Sequence, residues 1–159
     1  CGTERKESPK KLGIGKAQRG QNGSDIDIWA IGAMVADAEK LASRLSEHGI
    51  SAGVVNARFV KPLDTELLYK SAKNSRLIVT MEDHVITGGL GTSVMEALQD
   101  AKIFSAVERI GWPDAFIEHG SSVSKLREDN GLSAEAILDK VLASYKELEI
   151  EVVATEKSR

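Results

Sequence analysis

Chemistry-bearing residues gather in three short stretches, each following an apolar run. The first, Asn56 to Asp64, carries Arg58 and Lys61. Arginine offers a planar fork and lysine a point charge, so the pair suits a phosphorylated substrate or the acidic edge of a neighbouring domain, and the neighbouring domain is the favoured reading. In the second stretch Glu82, Asp83 and His84 run into Gly88, Gly89 and Gly91. Glycines at a helix start can turn backbone N–H groups toward an anion. Two carboxylates stand beside them, however, and the spacing is not a full Gly-Xaa-Gly-Xaa-Xaa-Gly, so close chain packing is the expected reason for the glycines. The third stretch, Gly111 to Ser121, holds Asp114 and His119.

His84 beside Asp83 and His119 beside Glu118 have the composition of tuned acid–base groups, but neighbours in sequence need not face each other, and structural hydrogen bonding is the expected role. His48, His84 and His119 lie on separate elements without metal-ligand spacing, and the single cysteine, Cys1, has no partner for a disulfide. Trp112 reads as core or interface packing. No residue is assigned as catalytic, cofactor-binding or metal-ligating. The ten residues Arg58, Lys61, Glu82, Asp83, His84, Gly88, Gly89, Gly91, Asp114 and His119 are candidate contacts to a neighbouring domain or to the edge of a substrate site.

The elements that must position these stretches alternate. Ile14 to Arg19 reads as a short strand, and the Asn22-Gly23 pair after it takes the positive φ of a hairpin turn, which predicts an antiparallel edge strand. Ile26 to Ile31 is the next strand. Met34, Val35, Ala38, Leu41, Ala42 and Leu45 then share a helical face that Gly49 ends. The cadence repeats: strand Gly53 to Ala57, a short helix capped by Asp64, strand Leu77 to Met81, a helix from Gly89 to Ala101, and strand Ala106 to Ile110. A short helix over Ser122 to Glu128 and a longer one from Ser133 with Ile137, Val141, Tyr145 and Leu148 inward complete the pattern. Strands alternating with helices argue for βαβ crossovers, hence a three-layer α/β/α sandwich with a mostly parallel sheet of about five strands and an antiparallel edge strand. Residues 1–11 read as a linker, 12–148 as one domain and 149–159 as a frayed tail.

At 159 residues, 42% hydrophobic and 28% charged, the chain has the balance of one globular domain, which excludes wholesale disorder. No apolar run approaches the roughly 20 residues that span a bilayer, and the N-terminus is charged where a signal peptide is apolar. A soluble, cytoplasmic location is expected, with no membrane partner. The 21 Lys and Arg residues are dispersed among 24 Asp and Glu, which gives no nucleic-acid surface.

Asn-Ala-Arg-Phe-Val-Lys-Pro-Leu-Asp at 56–64, Thr-Met-Glu-Asp at 80–83 followed by Gly-Gly-Leu-Gly at 88–91, and Gly-Trp-Pro-Asp-Ala-Phe-Ile-Glu-His-Gly-Ser at 111–121 occur in an order and spacing that resemble the C-terminal domain of the 1-deoxy-D-xylulose-5-phosphate synthase family, a transketolase-type group. Leu12 to Ala17 and Gly131 to Glu135 are similar as well, so the resemblance covers roughly Leu12 to Lys146. It implies a homodimeric enzyme that uses thiamine diphosphate and Mg2+ to join the two-carbon unit of pyruvate to glyceraldehyde 3-phosphate with release of carbon dioxide, for isoprenoid, thiamine and pyridoxal synthesis. In that family the cofactor sits between two other domains, one of which contributes Gly-Asp-Gly. That motif is absent here, and the family's Tyr-Pro-Arg-Gly stretch would lie upstream of Cys1. The resemblance therefore implies a scaffold and dimer-supporting domain, inactive alone, with no cofactor bound to it and the other domains of the same enzyme as partners. Two other classes stay open: the C-terminal domain or subunit of a transketolase or a 2-oxoacid dehydrogenase beta subunit, and a free-standing nucleotide-binding module.

Overall fold

The computed structural model describes residues 12–118 and 120–157. Five strands form one sheet: β1 (Gln18–Gln21), β2 (Ile26–Ala30), β3 (Ala52–Asn56), β4 (Leu77–Val85) and β5 (Ala106–Trp112), in the order β1-β3-β2-β4-β5. β2 pairs in parallel with both β3 and β4, β5 is parallel to β4, and β1 is antiparallel to β3. The helices are α1 (Met34–Glu47), α2 (Thr65–Asn74), α3 (Leu90–Asp100), α4 (Val123–Asp129) and α5 (Ala134–Lys157).

Alternation along the strands divides the core into two layers. Ile26, Ile28 and Ala30 of β2 join Val54, Leu77, Val79 and Met81 against the apolar faces of α1 and α5. Trp29, Val55 and Ile78 point to the other side, against Leu68 of α2 and Leu90, Val94 and Leu98 of α3. Every residue of β2 is buried, as expected of a central strand covered on both faces. The result is a three-layer α/β/α sandwich. α5 continues to Lys157, beyond Leu148 where the apolar pattern stops and a frayed tail was expected, since no glycine or proline interrupts residues 149–157.

The antiparallel edge strand is present but is not made by a hairpin. β2 takes β3 and β4 as its two neighbours, so β1 has no place beside it and crosses to the outer edge of β3. Gly23 does not form a left-handed turn; it lets the chain press against β3, where a Cβ would lie 2.0 Å from the Gly53 nitrogen. A buried ion pair fastens the edge instead. Arg19 Nη1 and Nη2 donate to Asp27 Oδ1 and Oδ2 at 2.9 and 2.7 Å, and Nη2 also reaches Ser71 Oγ at 3.0 Å. Trp29 Nε1 donates to the same hydroxyl at 3.2 Å. The Asp27 side chain is 3% exposed and that of Arg19 27%. Gly53 makes room for the pair, since a Cβ there would meet Asp27 Oδ1 at 2.4 Å.

The opposite edge is fastened by α5. Lys140 Nζ lies 2.9 Å from Glu108 Oε1 on β5, and Ser144, one turn on, donates its hydroxyl to Oε2 of the same carboxylate. At the far end of the sheet the Arg76 guanidinium sits 5.3 Å from the Tyr145 ring centre. Burial pushes the Glu108 carboxyl up, but the Ser144 hydroxyl, the Lys140 ammonium and the Arg109 N–H together outweigh it and hold the group below its ordinary value of 4.5.

Two stability predictions come from these fasteners. Asp27→Asn removes the counter-charge of a half-buried guanidinium and should lower the unfolding free energy by about 2 kcal/mol in urea titrations. A carboxyl depressed in the folded state contributes stability above its unfolded value and loses it as the pH falls through the folded one. Glu108→Gln should therefore lower stability at neutral pH and flatten the decline below about pH 4.5 in melts run across an acid series.

Candidate functional site

The strand order reverses at β2 and β4. The chain leaves β2 to pack α1 on one face, and leaves β4 to pack α3 on the other. Where the crossovers diverge, the carboxyl ends of the strands open a crevice, the position at which open α/β sheets bind ligands. It has a volume of about 390 Å³ and is lined by Ile31, Gly32 and Ala33 after β2, by Val60 after β3, by Glu82, Asp83 and His84 near the end of β4, and by Gly88 and Gly89 from the β4–α3 connection. Five of the candidate residues thus converge in one place.

Glu82 organises it. The residue is 3% exposed, its Oε2 accepts the Leu90 N–H at 2.7 Å and its Oε1 accepts the Gly91 N–H at 3.0 Å. The carboxylate fills the N-terminus of α3, where N–H groups lack intrahelical partners and the helix dipole favours negative charge. Gly89 is the N-cap and contributes no side chain, because a Cβ there would sit 1.9 Å from Glu82 Oε2. Gly91 lies under Thr80 Oγ1 and the Arg109 stem, and Gly111 presses on Ile86 and the His84 carbonyl. Gly88 is needed for another reason, a φ of 77°, and its N–H goes to Thr92 Oγ1 at 3.0 Å. An incoming anion would have to displace an internal carboxylate.

Asp83 turns outward to a different task. Its Oδ1 accepts the Trp112 indole N–H at 2.7 Å and its Oδ2 the Arg127 guanidinium at 3.0 Å. Arg127 also reaches Asp37 Oδ2 at 3.3 Å, which links α4, α1 and β4. Sequence reasoning did not find Arg127 or Asp37. They lie 44 and 46 residues from Asp83 on exposed helix faces, and no local pattern marks such a link. His84 is exposed, with Nδ1 2.8 Å from the neighbouring Val85 carbonyl.

The remaining candidates are spread along the same edge. Arg58 has a φ of 58°, donates its N–H to Asn56 Oδ1 at 3.1 Å and directs its guanidinium to Gln18 Oε1 on β1. Lys61 is exposed at the rim, before the cis peptide to Pro62. Asp64 caps α2 through the Leu67 N–H at 3.2 Å and holds the incoming chain through the Ala17 N–H at 3.1 Å. Asp114 is exposed on the β5–α4 loop outside the crevice, and His119 lies outside the described residues. A larger cavity of about 700 Å³ opens between α1, α4 and α5 over Leu41, Met81, Leu132 and Ile137. Its rim charges are paired, Lys40 with Asp37 at 3.1 Å and Arg44 with Glu135 at 3.4 Å.

The carboxylates of the crevice are engaged by the domain's own donors, and among the described residues no group of three or more His, Cys, Asp or Glu could hold a metal ion. Glu82→Gln, which keeps the side-chain size but removes the charge at the helix terminus, should destabilise the domain by about 2 kcal/mol. Gly89→Ala forces a methyl into the carboxylate and should cost about 1 to 3 kcal/mol. Both are measured as a lowered urea midpoint at unchanged slope.

Comparison with known proteins places this geometry in a family. Residues 15–137 match the family described as transketolase, C-terminal domain. The chain is 52% identical over 124 residues to the 1-deoxy-D-xylulose-5-phosphate synthase of Heliobacterium modesticaldum, covering 78% of this chain and 19% of that protein. It is 47% identical over 140 residues to the Acidobacterium capsulatum synthase, covering 88% of this chain and 22% of that protein. The chain thus spans about a fifth of the length of the curated relatives it matches. Among solved structures, a split-gene transketolase described as an inactive beta4 tetramer superposes with a TM-score of 0.79 at 34% identity, over 91% of this chain and 47% of that one. A Pichia stipitis transketolase variant shares the fold at 18% identity and a TM-score of 0.58, over 82% of this chain and 18% of that one. On the match across residues 15–137, together with the crossover topology that carries it, the chain belongs to the transketolase C-terminal domain family.

Proposed function

We infer that this chain is the C-terminal structural domain of a 1-deoxy-D-xylulose-5-phosphate synthase, a thiamine-diphosphate-dependent transferase that joins the two-carbon unit of pyruvate to glyceraldehyde 3-phosphate with loss of carbon dioxide. The observation that carries this reading is 52% identity to a synthase over 78% of this chain, in a stretch only 19% as long as that relative. The geometry agrees with a supporting role. β1 runs antiparallel to β3, with Gln18 opposite Asn56, so the polypeptide comes in across the carboxyl edge of the sheet, beside the three loops that hold the candidate residues. In this reading the other domains of the longer protein pack against Arg58, Lys61 and the crevice rim. Packing there, and stabilising a cytoplasmic homodimer, is the role the domain would play.

Among the described residues, the crevice carboxylates do not fit thiamine diphosphate with Mg2+. Both Glu82 oxygens are taken by α3 and both Asp83 oxygens by Trp112 and Arg127. The cofactor belongs to the other domains in this reading, and no catalytic step is assigned to residues here.

The longer protein that contains this chain should form 1-deoxy-D-xylulose 5-phosphate from pyruvate and glyceraldehyde 3-phosphate when supplied with thiamine diphosphate and Mg2+, followed by product chromatography and mass. Residues 12–157 alone should give no turnover. Transfer of a ketol unit between sugar phosphates, without use of pyruvate, would assign the protein to the transketolases instead; turnover by residues 12–157 would place the chemistry in this domain.

A further inference from the structure

β5 is an open edge: in the sheet order no strand follows it among the described residues. Ile110 is buried and the other residues of the strand are half-buried, whereas the central β2 is buried throughout. The N–H and C=O of one strand residue point to the same side, and the side alternates from residue to residue. The Trp112 carbonyl accepts the Ile86 N–H, from just beyond β4, at 2.9 Å, so it faces β4. By alternation Glu108 and Ile110 also turn their peptide groups to β4, and Val107, Arg109 and Gly111 turn theirs to the open side. Arg109 is the middle of that row, and both of its outward groups are taken by side chains. Its N–H donates to Glu108 Oε1 at 3.0 Å, and its carbonyl accepts the Lys140 ammonium at 2.9 Å. The same ammonium lies 2.9 Å from Glu108 Oε1, which closes the three groups into a ring, and Ser144 donates to the second carboxylate oxygen. A surface ion pair could satisfy itself without the main chain; this one is spent on the single residue at the centre of the open edge.

We propose that Glu108 and Lys140 close the β5 edge against a second copy of this chain, which would otherwise add its own β5 as a further strand. An open edge strand is a template for pairing with another chain, and lysine at the edge is a device that blocks it. The choice of occupant follows from the two edges of the sheet. β1 has four residues and a register shift against β3, so it offers no regular ladder. β5 has seven residues, and two copies of it can meet antiparallel about a twofold axis. Charge then sorts the registers. Pairing Arg109 with Arg109, or Glu108 with Glu108, sets like charges directly opposite each other. The register that places Arg109 opposite Gly111 of the second copy brings Ile110 against Ile110 and Glu108 against Trp112, with no like charges opposed. That register needs the Arg109 N–H and C=O, the two groups the ring occupies. With them closed, Val107 and Gly111 are left as isolated outward groups, too few to offset the entropy lost on association.

Sedimentation velocity over a concentration series, with amide hydrogen exchange read residue by residue by NMR, tests this on the 159-residue chain. Glu108→Ala combined with Lys140→Ala frees both Arg109 groups; Lys140→Ala alone, at a half-exposed helix position, frees the carbonyl and decides the matter if the double variant does not fold. The alanine variants should self-associate at least about tenfold more tightly than the unsubstituted chain. Lys140→Arg, which keeps a charged donor beside the carboxylate, should associate no more tightly than the unsubstituted chain. As the alanine variants associate, exchange at the Arg109 and Gly111 amides should slow, while β1 at the far edge stays unchanged. Unchanged association of a folded alanine variant overturns the proposal. So does association whose protection lies away from β5, which assigns the contact to another surface, and so does association that appears only with loss of the native circular dichroism, which is aggregation of unfolded chain.

Discussion

A single buried carboxylate sets the shape of the carboxyl edge. Glu82 stands near the carboxyl end of β4, where the strand order reverses, and bonds the first two N–H groups of α3. A carboxyl group this deep is tolerable only with close hydrogen-bond partners, and the helix terminus supplies them. The consequences spread outward. Gly89 must lack a side chain because the Glu82 carboxylate occupies the space beside it. The β4–α3 connection must turn through a left-handed Gly88, and Asp83, next in sequence, is forced to the opposite side of the strand. There it meets Trp112 and Arg127 and fixes the base of the β5–α4 loop. Two adjacent carboxylates thus divide the work, one bonding inward to the backbone and one outward to side chains.

The same economy appears at the far end of the sheet. Arg19 and Asp27 hold the antiparallel edge strand through a bidentate pair, and the pair is completed by Ser71, which also satisfies the Trp29 indole. A buried bidentate pair contributes geometry more dependably than stability, since desolvation offsets much of the attraction. Here the geometry is the position of β1, which has no hairpin to set its register.

Much of the architecture was legible because it depends on local periodicity. The four apolar runs, the 3.6-residue stripe from Met34 to Leu45 and the Asp64 cap are written in consecutive residues, and the order of strands and helices follows from them. The register of β1 was not. Asn22-Gly23 carries a hairpin signal, but whether a hairpin can form depends on whether β2 has a free edge, and β3 and β4, far along the chain, decide that. In the crevice the carboxylates and glycines were visible as a cluster, and their proximity to a helix start could be read. Which carboxylate faces inward could not, because that follows from the pleat of β4 and the position of Gly91. Arg127 had no signal at all: it is one of several charged residues on an exposed helix, distinguished only by a neighbour 44 residues away.

The larger question is why a sheet with nucleotide-binding topology shows no nucleotide-binding chemistry at its switch point. In dinucleotide-binding folds the glycines clear space so that a helix N-terminus can approach a phosphate. In this domain the glycines clear space for Glu82, an anion built into the chain. A carboxylate of the chain seated on these N–H groups takes the place an external anion would occupy. With the Leu90 and Gly91 N–H groups and the oxygens of Glu82 and Asp83 satisfied internally, what the edge has left to offer a partner is apolar surface and a rim of Arg58 and Lys61. Those are the properties required of a domain that holds neighbours in place, and a flexible ligand-binding crevice would work against them.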